Sequence, residues 1–193
     1  MEITPRQLEI IEAAGRTLTT SGVSGLTIKN LAKEMHFSES AIYRHFASKE
    51  DIVVTMLNYL SDDADKRLSN LPSSRSPEEK FMDIFREQIR FFRLNPHFVV
   101  AVFSDGLMED NKRVNEAILK VLNVKMKHLM PLIMEGQQKG VFTNTITTDE
   151  LIHIVMGAFK LQMFKWRMAN FQFDIVRNGE NMLQSMLTLI KAD

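Results

Sequence analysis

The stretch FSESAIYRHFASKEDI, Phe37 to Ile52, decides how the chain is to be read. It places small polar residues, Ser38 and Ser40, ahead of an apolar pair, Ile42 and Phe46, and then Ser48 three residues before Asp51. Four residues is close to one helical turn, so Ile42 and Phe46 share a face while Ser40, Tyr43 and Arg44 fall away from it. The spacing predicts a short helix from about Ser38 to His45, with Phe37 joining Ile42 and Phe46 in burial. Two turns of helix are not stable alone in water, so neighbouring helices must hold this one in place. Ser48 and Asp51 resemble a capping box, with Asp where Glu is usual, and open the next helix through Ile52, Met56, Leu57 and Leu60 to about Leu71.

Toward the N-terminus, Pro5 suits a first helical turn, and Leu8, Ile11, Ala14 and Leu18 form one stripe that stops before Gly22. SGVSG at 21–25 reads as a turn, and Thr27 as the N-cap of a short helix carrying Ile28, Leu31, Ala32 and Met35. Toward the C-terminus, PSSRSP at 72–77 reads as a linker. After it come an amphipathic helix over 78–95, another started by Pro96, and a long one over 110–138 in which Pro131 predicts a kink or break. Gly140 ends that helix, TTDE at 147–150 caps one reaching about Asn170, and a last helix spans about 174–191. The fold class is therefore all-α.

Composition narrows the class further. With 193 residues, 45% hydrophobic and 25% charged, the chain can bury an ordinary core. No run approaches the roughly 18 apolar residues of a membrane span, and the first residues do not form a secretory signal, so a cytoplasmic location and no membrane partner are expected. The absence of cysteine removes disulfides, thiolate metal sites and cysteine nucleophiles. Lys plus Arg equals Asp plus Glu at 24 each, so any nucleic acid must be recognised by a local surface rather than by net charge.

Two short helices joined by a turn, the second opening with small polar residues, fit a helix-turn-helix whose second helix enters the major groove. Arg44 can donate two hydrogen bonds to guanine, Ser38 and Ser40 can pair with several bases, and the Ala41 methyl can meet a thymine methyl. Tyr43, Lys49 and the Thr27 hydroxyl suit phosphate oxygens. The segment LTIKNLAKEMHFSESAIYRHFASKEDIV, Leu26 to Val53, resembles the DNA-binding segment of the tetracycline-repressor (TetR) family of bacterial transcriptional regulators. The likeness rests on Thr27, Leu31-Ala32, Ser38, IYRHF at 42–46 and Lys49-Glu50. It implies an N-terminal DNA-binding domain over 1–47, a helical regulatory and dimerisation domain over 48–193, and DNA contacts from Thr27, Ser38, Glu39, Ser40, Ala41, Tyr43, Arg44, His45 and Lys49. Two positions depart from the family pattern. His36 stands at a turn where Gly is common, which asks it for a positive φ. Glu39 stands where basic, polar or small residues are common; its carboxylate can accept from cytosine but repels phosphate. Charges in residues 1–50 cancel, six against six, so modest non-specific affinity and reliance on a dimer are expected.

The 147–170 helix is apolar on two sides, Leu151, Ile154, Ala158 and Leu161 on one and Ile152, Met156, Phe159, Met163 and Trp166 on the other. One side needs a partner, and with Met182, Leu183, Met186, Leu187 and Ile190 of the last helix it fits a four-helix bundle with a second copy. The expected interface is Leu151, Ile154, Ala158, Met182, Met186 and Ile190. Phe and Met, Met108 among them, crowd the intervening helices and suit an adaptable apolar pocket. The resemblance implies a small-molecule effector there, with Phe85, Phe92, Phe103, Met126, Met130, Met156, Phe159 and Met163 as its lining and Arg90, Gln162 or His153 as polar selectors. It further implies a homodimer on a palindromic double-stranded operator, released when the effector shifts the fourth helix, with repression as the family's default.

Other classes fare worse. GVSGL at 22–26 lacks the last Gly of G-x-S-x-G and follows no strand, no H-E-x-x-H or phosphate-cradling loop is present, and the five histidines are scattered. No enzyme, metal or cofactor is expected. The alternative is a helical ligand-binding or protein-interaction module without DNA binding, in which Tyr43 and Lys49 would have no role.

Overall fold

A computed structural model of the chain describes residues 3–103 and 111–192. Among the described residues every regular element is helical: α1 (Pro5–Gly25), α2 (Ile28–Glu34), α3 (Glu39–Tyr43), α4 (Lys49–Ser69), α5 (Pro77–Leu94), α6 (His97–Phe103), α7 (Lys112–Gln138), α8 (Thr148–Met168) and α9 (Ile175–Ile190). An isolated bridge between Phe142 and Lys191 is the sole extended pairing described. The chain is all-α, as the periodicity implies.

Packing divides it into two compact units, residues 1–63 with 95–121 and residues 64–94 with 122–193. This grouping by packing is distinct from the expected division at 47/48, because α6 and the first turns of α7 pack with the N-terminal helices.

In the first unit, Thr4 caps α1 through a reciprocal box with Gln7, and Pro5 takes the first turn. The SGVSG turn appears as a break inside α1, where Gly22 holds φ 68°. α6 lies so close to α1 that a methyl group on Gly15 would meet the His97 ring at 2.8 Å. Ile10, Ile11, Ala14, Leu18, Leu31 and Ile42 supply the fully buried apolar side chains that join α1, α2 and α3. Arg16 donates to Glu34 at 3.0 Å, and the Thr17 hydroxyl donates to the same carboxylate, tying α1 to α2.

In the second unit, α5 begins with Ser76, whose hydroxyl accepts from the Glu79 amide at 3.2 Å while the Glu79 carboxylate accepts from the Ser76 amide at 2.9 Å. Phe81, Phe85, Phe142 and Phe159 are fully buried and form a chain of rings, with Phe85 and Phe159 centroids 5.3 Å apart. Gly179 lets α9 approach α5, since a methyl group there would lie 2.4 Å from Ile89 Cδ1. Thr147 and Glu150 form the capping box of α8, and Asp174 accepts from the Val176 and Arg177 amides to cap α9.

α7 runs through Pro131 unbroken, so of the expected kink or break the break does not occur. Pro131 sits on the exposed side of the helix together with Lys127, so the carbonyl that loses its amide partner can turn to water.

Candidate nucleic-acid interface

The turn between α2 and α3 is made by His36, which holds φ 55°, the left-handed conformation its place in the sequence requires. Thr27 and Ser38 cap the two helices in the same way, each hydroxyl accepting from the amide three residues on, Asn30 at 3.1 Å and Ala41 at 3.2 Å. Asn30 also donates to the Gly25 carbonyl at 2.8 Å, so α2 is anchored to the end of α1. α3 has only five residues. It is held by Ile42 and Phe46, which are buried, and by Gln7 of α1, whose amide donates to the His45 carbonyl at 3.5 Å. Phe37 is only half-buried rather than part of the core; the Arg6 guanidinium lies 5.0 Å above its ring and shields it.

This packing leaves Ser38, Glu39, Ser40, Tyr43, Arg44 and His45 exposed together, with Ala41 half-buried beside them. Tyr43 is 52% exposed, a large aromatic turned toward solvent. Ser38 and Ser40 share a hydrogen bond of 2.9 Å. Thr27 and Lys49 are exposed at the starts of α2 and α4. The nine residues expected to meet DNA thus divide into an exposed eight and the half-buried Ala41.

α4 begins beside this surface with Ser48, whose hydroxyl accepts from the Asp51 amide at 3.1 Å and donates to the Asp51 carboxylate at 3.0 Å. The sequence gives no sign of what meets Glu50 and Asp51 from the far side. Arg113 of α7 reaches both, 2.7 Å to Glu50 and 2.8 Å to Asp51, and Asn111 donates to Glu50 at 2.6 Å. The Arg113 guanidinium, followed by the Ser48 hydroxyl, holds Asp51 below the usual carboxylate range. Glu34 and Glu50 are therefore occupied by Arg16 and Arg113, whereas Lys29, Lys33, Arg44 and Lys49 stand exposed. The local balance at the α2–α3–α4 surface is more basic than the cancelling formal charges imply.

In the second unit the residues expected around an effector scatter in their roles. Phe85, Phe159 and Met163 are fully buried and Phe92 nearly so; Met126 and Met156 are half-buried and Met130 is exposed. Phe103 is buried in the first unit, and Met108 lies outside the described residues. Of the polar selectors, Arg90 is exposed and paired with Glu87 at 2.7 Å, His153 is exposed against Asp149, and Gln162 is half-buried. Two buried polar residues escaped the sequence reading. Lys125 of α7 is buried with its Nζ 5.1 Å from the Phe159 centroid, and burial pushes its amine down to about 8. Gln88 of α5 is buried among Phe85, Ile89 and Phe92, and its Nε2 has no hydrogen-bond partner. A cavity of about 250 Å³ is lined by Leu68, Leu71, Ile84, Pro131 and Leu132 with Lys80, His128 and Glu135; another of about 270 Å³ by Arg86, Ile89, Arg90, Arg93, Val176 and Glu180.

The residues expected at a dimer interface point in two directions. Leu151, Met186 and Ile190 are buried within their own unit, Ala158 and Met182 are half-buried, and Ile154 is half exposed. The outward apolar face of α8 is rotated from the expected one and carries Ile154, Leu161, Phe164 and Met168, with Leu161 58% and Met168 66% exposed. Gly157 lies on the same line with open space around it. On α9, Leu189 is 73% exposed. No helix of the described residues is long and apolar enough to cross a membrane.

A recognition helix presented on a three-helix head, followed by a helical body, defines a helix-turn-helix transcriptional regulator. Residues 10–56 match the family of bacterial regulatory proteins described as the tetR family, and residues 56–189 match the C-terminal region of YsiA-like proteins. The chain belongs to the TetR family of bacterial regulatory proteins, and is a DNA-binding regulator rather than an enzyme. It is 19% identical over 185 residues to the fatty acid metabolism regulator protein of Bacillus subtilis, covering 95% of each chain, and 28% identical over 177 residues to the nucleoid occlusion factor SlmA of Vibrio campbellii, covering 91% of this chain and 90% of that one. Its fold superposes on the fatty acid degradation regulator FadR from Bacillus halodurans with a TM-score of 0.82, at 20% identity and 97% coverage of both. FadR from Bacillus subtilis in complex with stearoyl-CoA gives 0.81, at 18% identity and 93% and 97% coverage.

Proposed function

We propose that the chain is a homodimeric, ligand-responsive repressor that reads a palindromic operator in the bacterial cytoplasm and is released by an effector with a long apolar chain, of the fatty acyl class. The observation that carries the DNA-reading half is the exposed cluster of Tyr43, Arg44, Ser38 and Ser40 on a helix too short to exist without its supports. Arg44 serves as the base reader and Tyr43, Lys49 and Thr27 as phosphate contacts, while Glu39 favours a cytosine within its reach. The functional boundary at 47/48 separates this head from the residues that regulate it.

Two-fold symmetry is what a palindrome asks of its reader, and the outward apolar line on α8 is where a second copy fits. Ile154, Gly157, Leu161, Phe164 and Met168 recur at alternating intervals of three and four, the pattern of a helix-pair seam, with Gly157 allowing close approach. Ala158, Met182 and Leu189 extend the face, and Leu151, Met186 and Ile190 brace it from behind. The effector class rests on the fatty acid regulators among the chain's relatives and on the buried Phe and Met of the second unit. α4 and α7 each contribute residues to both compact units.

Enrichment of random-sequence duplex DNA on the purified chain tests this reading. The expected product is an inverted repeat with half-sites about one helical turn or a multiple apart, bound by the wild type and lost by the Tyr43→Ala, Arg44→Ala variant. Failure to enrich any sequence at low salt, where phosphate attraction is strongest, would leave a helical ligand-binding module as the better description.

A further inference from the structure

Two carboxylates stand close to where the chain is read as meeting phosphate. Glu50 and Asp51 follow Lys49 directly in the first turn of α4. Acidic residues suit a helix N-terminus, but beside a phosphate backbone their charges oppose what Lys49 supplies. Both are met from α7, within the first compact unit. Arg113 donates to Glu50 at 2.7 Å and to Asp51 at 2.8 Å, and Asn111 donates to the second Glu50 oxygen at 2.6 Å. Asn111 is itself fixed, since its Oδ1 accepts from the Val114 amide at 3.1 Å. Glu34 is met by Arg16, whereas Glu39 makes no ion pair among the described residues. The neutralisation is thus selective. Ion pairs as exposed as those of Arg113 add little to stability, so folding alone does not account for three hydrogen bonds converging on two adjacent acids.

We infer that Arg113 is a positioning residue for DNA binding, one that acts without touching the duplex: it occupies Glu50 and Asp51, offsets their charge, and fixes the turn that carries Lys49. This rests on the reading of Lys49 and α3 as the duplex-facing surface and adds to it a residue of α7. The planar fork of a guanidinium reaches two carboxylates at once, which the point charge of a lysine does less well. Asp51 is held below the usual carboxylate range, first by Arg113 and then by Ser48, so it stays ionised at neutral pH and its charge has to be offset rather than titrated away. With Arg113 present, the two carboxylates keep one uncompensated negative charge, which Lys49 balances. Without Arg113 the first turn of α4 is net negative. A phosphate touched by Lys49 lies within a Debye length of that turn, so the change is felt as repulsion at low salt and is screened at high salt. Glu39, left unpaired, keeps its carboxylate available to a cytosine.

The test is anisotropy titration of a fluorescein-labelled duplex of random sequence with the full-length wild type, Arg113→Ala, Glu50→Gln, and the variant that combines the two. Non-specific binding is the right readout, because it reports phosphate attraction apart from base contacts. Arg113→Ala is expected to weaken binding roughly threefold to tenfold at about 50 mM salt, and the loss should shrink as salt rises to about 200 mM. Glu50→Gln should tighten binding by a similar factor, a result that stands even if Arg113→Ala proves unable to fold. The combined variant carries the same net charge at this turn as the wild type, so it should bind as the wild type does. That rescue separates the proposal from a merely structural role, which removal of a second partner would not repair. Arg113→Ala binding like the wild type, or a combined variant no better than Arg113→Ala, would overturn the assignment and leave the reading surface standing. In the second case Arg113 acts by contact with the duplex or by packing. A wild type that binds no duplex at low salt would overturn the DNA-reading surface and this residue's role with it.

Discussion

Lys125 is the residue whose environment makes the sharpest demand. Its amine is pushed from the ordinary 10.5 down to about 8 by burial alone, so the folded chain gives up this proton before the unfolded chain does. Below about pH 8 the amine is charged in both states and the full penalty of burying it is present. Between about 8 and 10.5 the unfolded chain holds more protons, so the penalty fades and stability rises with pH. The wild type is therefore expected to gain stability in urea unfolding between about pH 8 and 10.5, and Lys125→Met should lack that gain. A wild type whose stability stays flat across that range would show that the folded amine titrates near its ordinary value. None of this was legible in the sequence, where Lys125 is one of several lysines on a long amphipathic helix and nothing local distinguishes it from Lys120 or Lys127. Those two reach Asp62 and Asp65 and stay at the surface. Gln88 was equally silent. His36, by contrast, was legible through the family resemblance, because it stands at a turn where Gly is common, and it does hold a positive φ.

At the scale of elements, what the sequence conveyed was whatever a few consecutive residues can specify. Thr27, Ser48 and Thr147 were readable as caps, because a cap acts within three residues of itself. The burial of Ile42 and Phe46 followed from one turn of spacing. Periodicity puts Leu151, Ile154, Ala158 and Leu161 on one apolar stripe of α8 but does not say how far along it the rest of the chain packs, so Leu151 was assigned outward and proved buried, while Ile154 and Leu161 proved exposed. The start of α4 shows the same limit. Ser48 was readable as its cap, whereas Arg113, more than sixty residues away, was not. Ser48→Ala is expected to cost about 1 kcal/mol in urea unfolding, the usual value of a lost N-cap hydroxyl. Arg113→Ala should lower the midpoint less, because its ion pairs are largely exposed, and its effect should shrink in high salt. If salt leaves the Arg113→Ala effect unchanged, the side chain acts by packing rather than by charge.

For the molecule as a whole, two copies must present their reading helices together, about 34 Å apart, for an inverted repeat to be bound. Leu161 stands in the middle of the outward apolar line of α8 and makes no demand on the chain's own core. Leu161→Lys should therefore leave melting of the protomer nearly intact while halving the mass seen by light scattering at micromolar concentration. Operator affinity should fall with it, since each half-site would be held by one head alone. A Leu161→Lys variant that remains a dimer would place the two-fold contact on another face, and a monomeric wild type would overturn the two-fold contact altogether.

The brevity of α3 has a consequence for heat. Five residues cannot keep a helical shape unless Ile42 and Phe46 remain seated, so the surface proposed to meet a base pair exists only while the first compact unit is folded. Warming should extinguish promoter control at the temperature where that unit melts, and a saturating operator fragment should push this temperature upward. The duplex thereby acts as a chaperone for the helix that reads it.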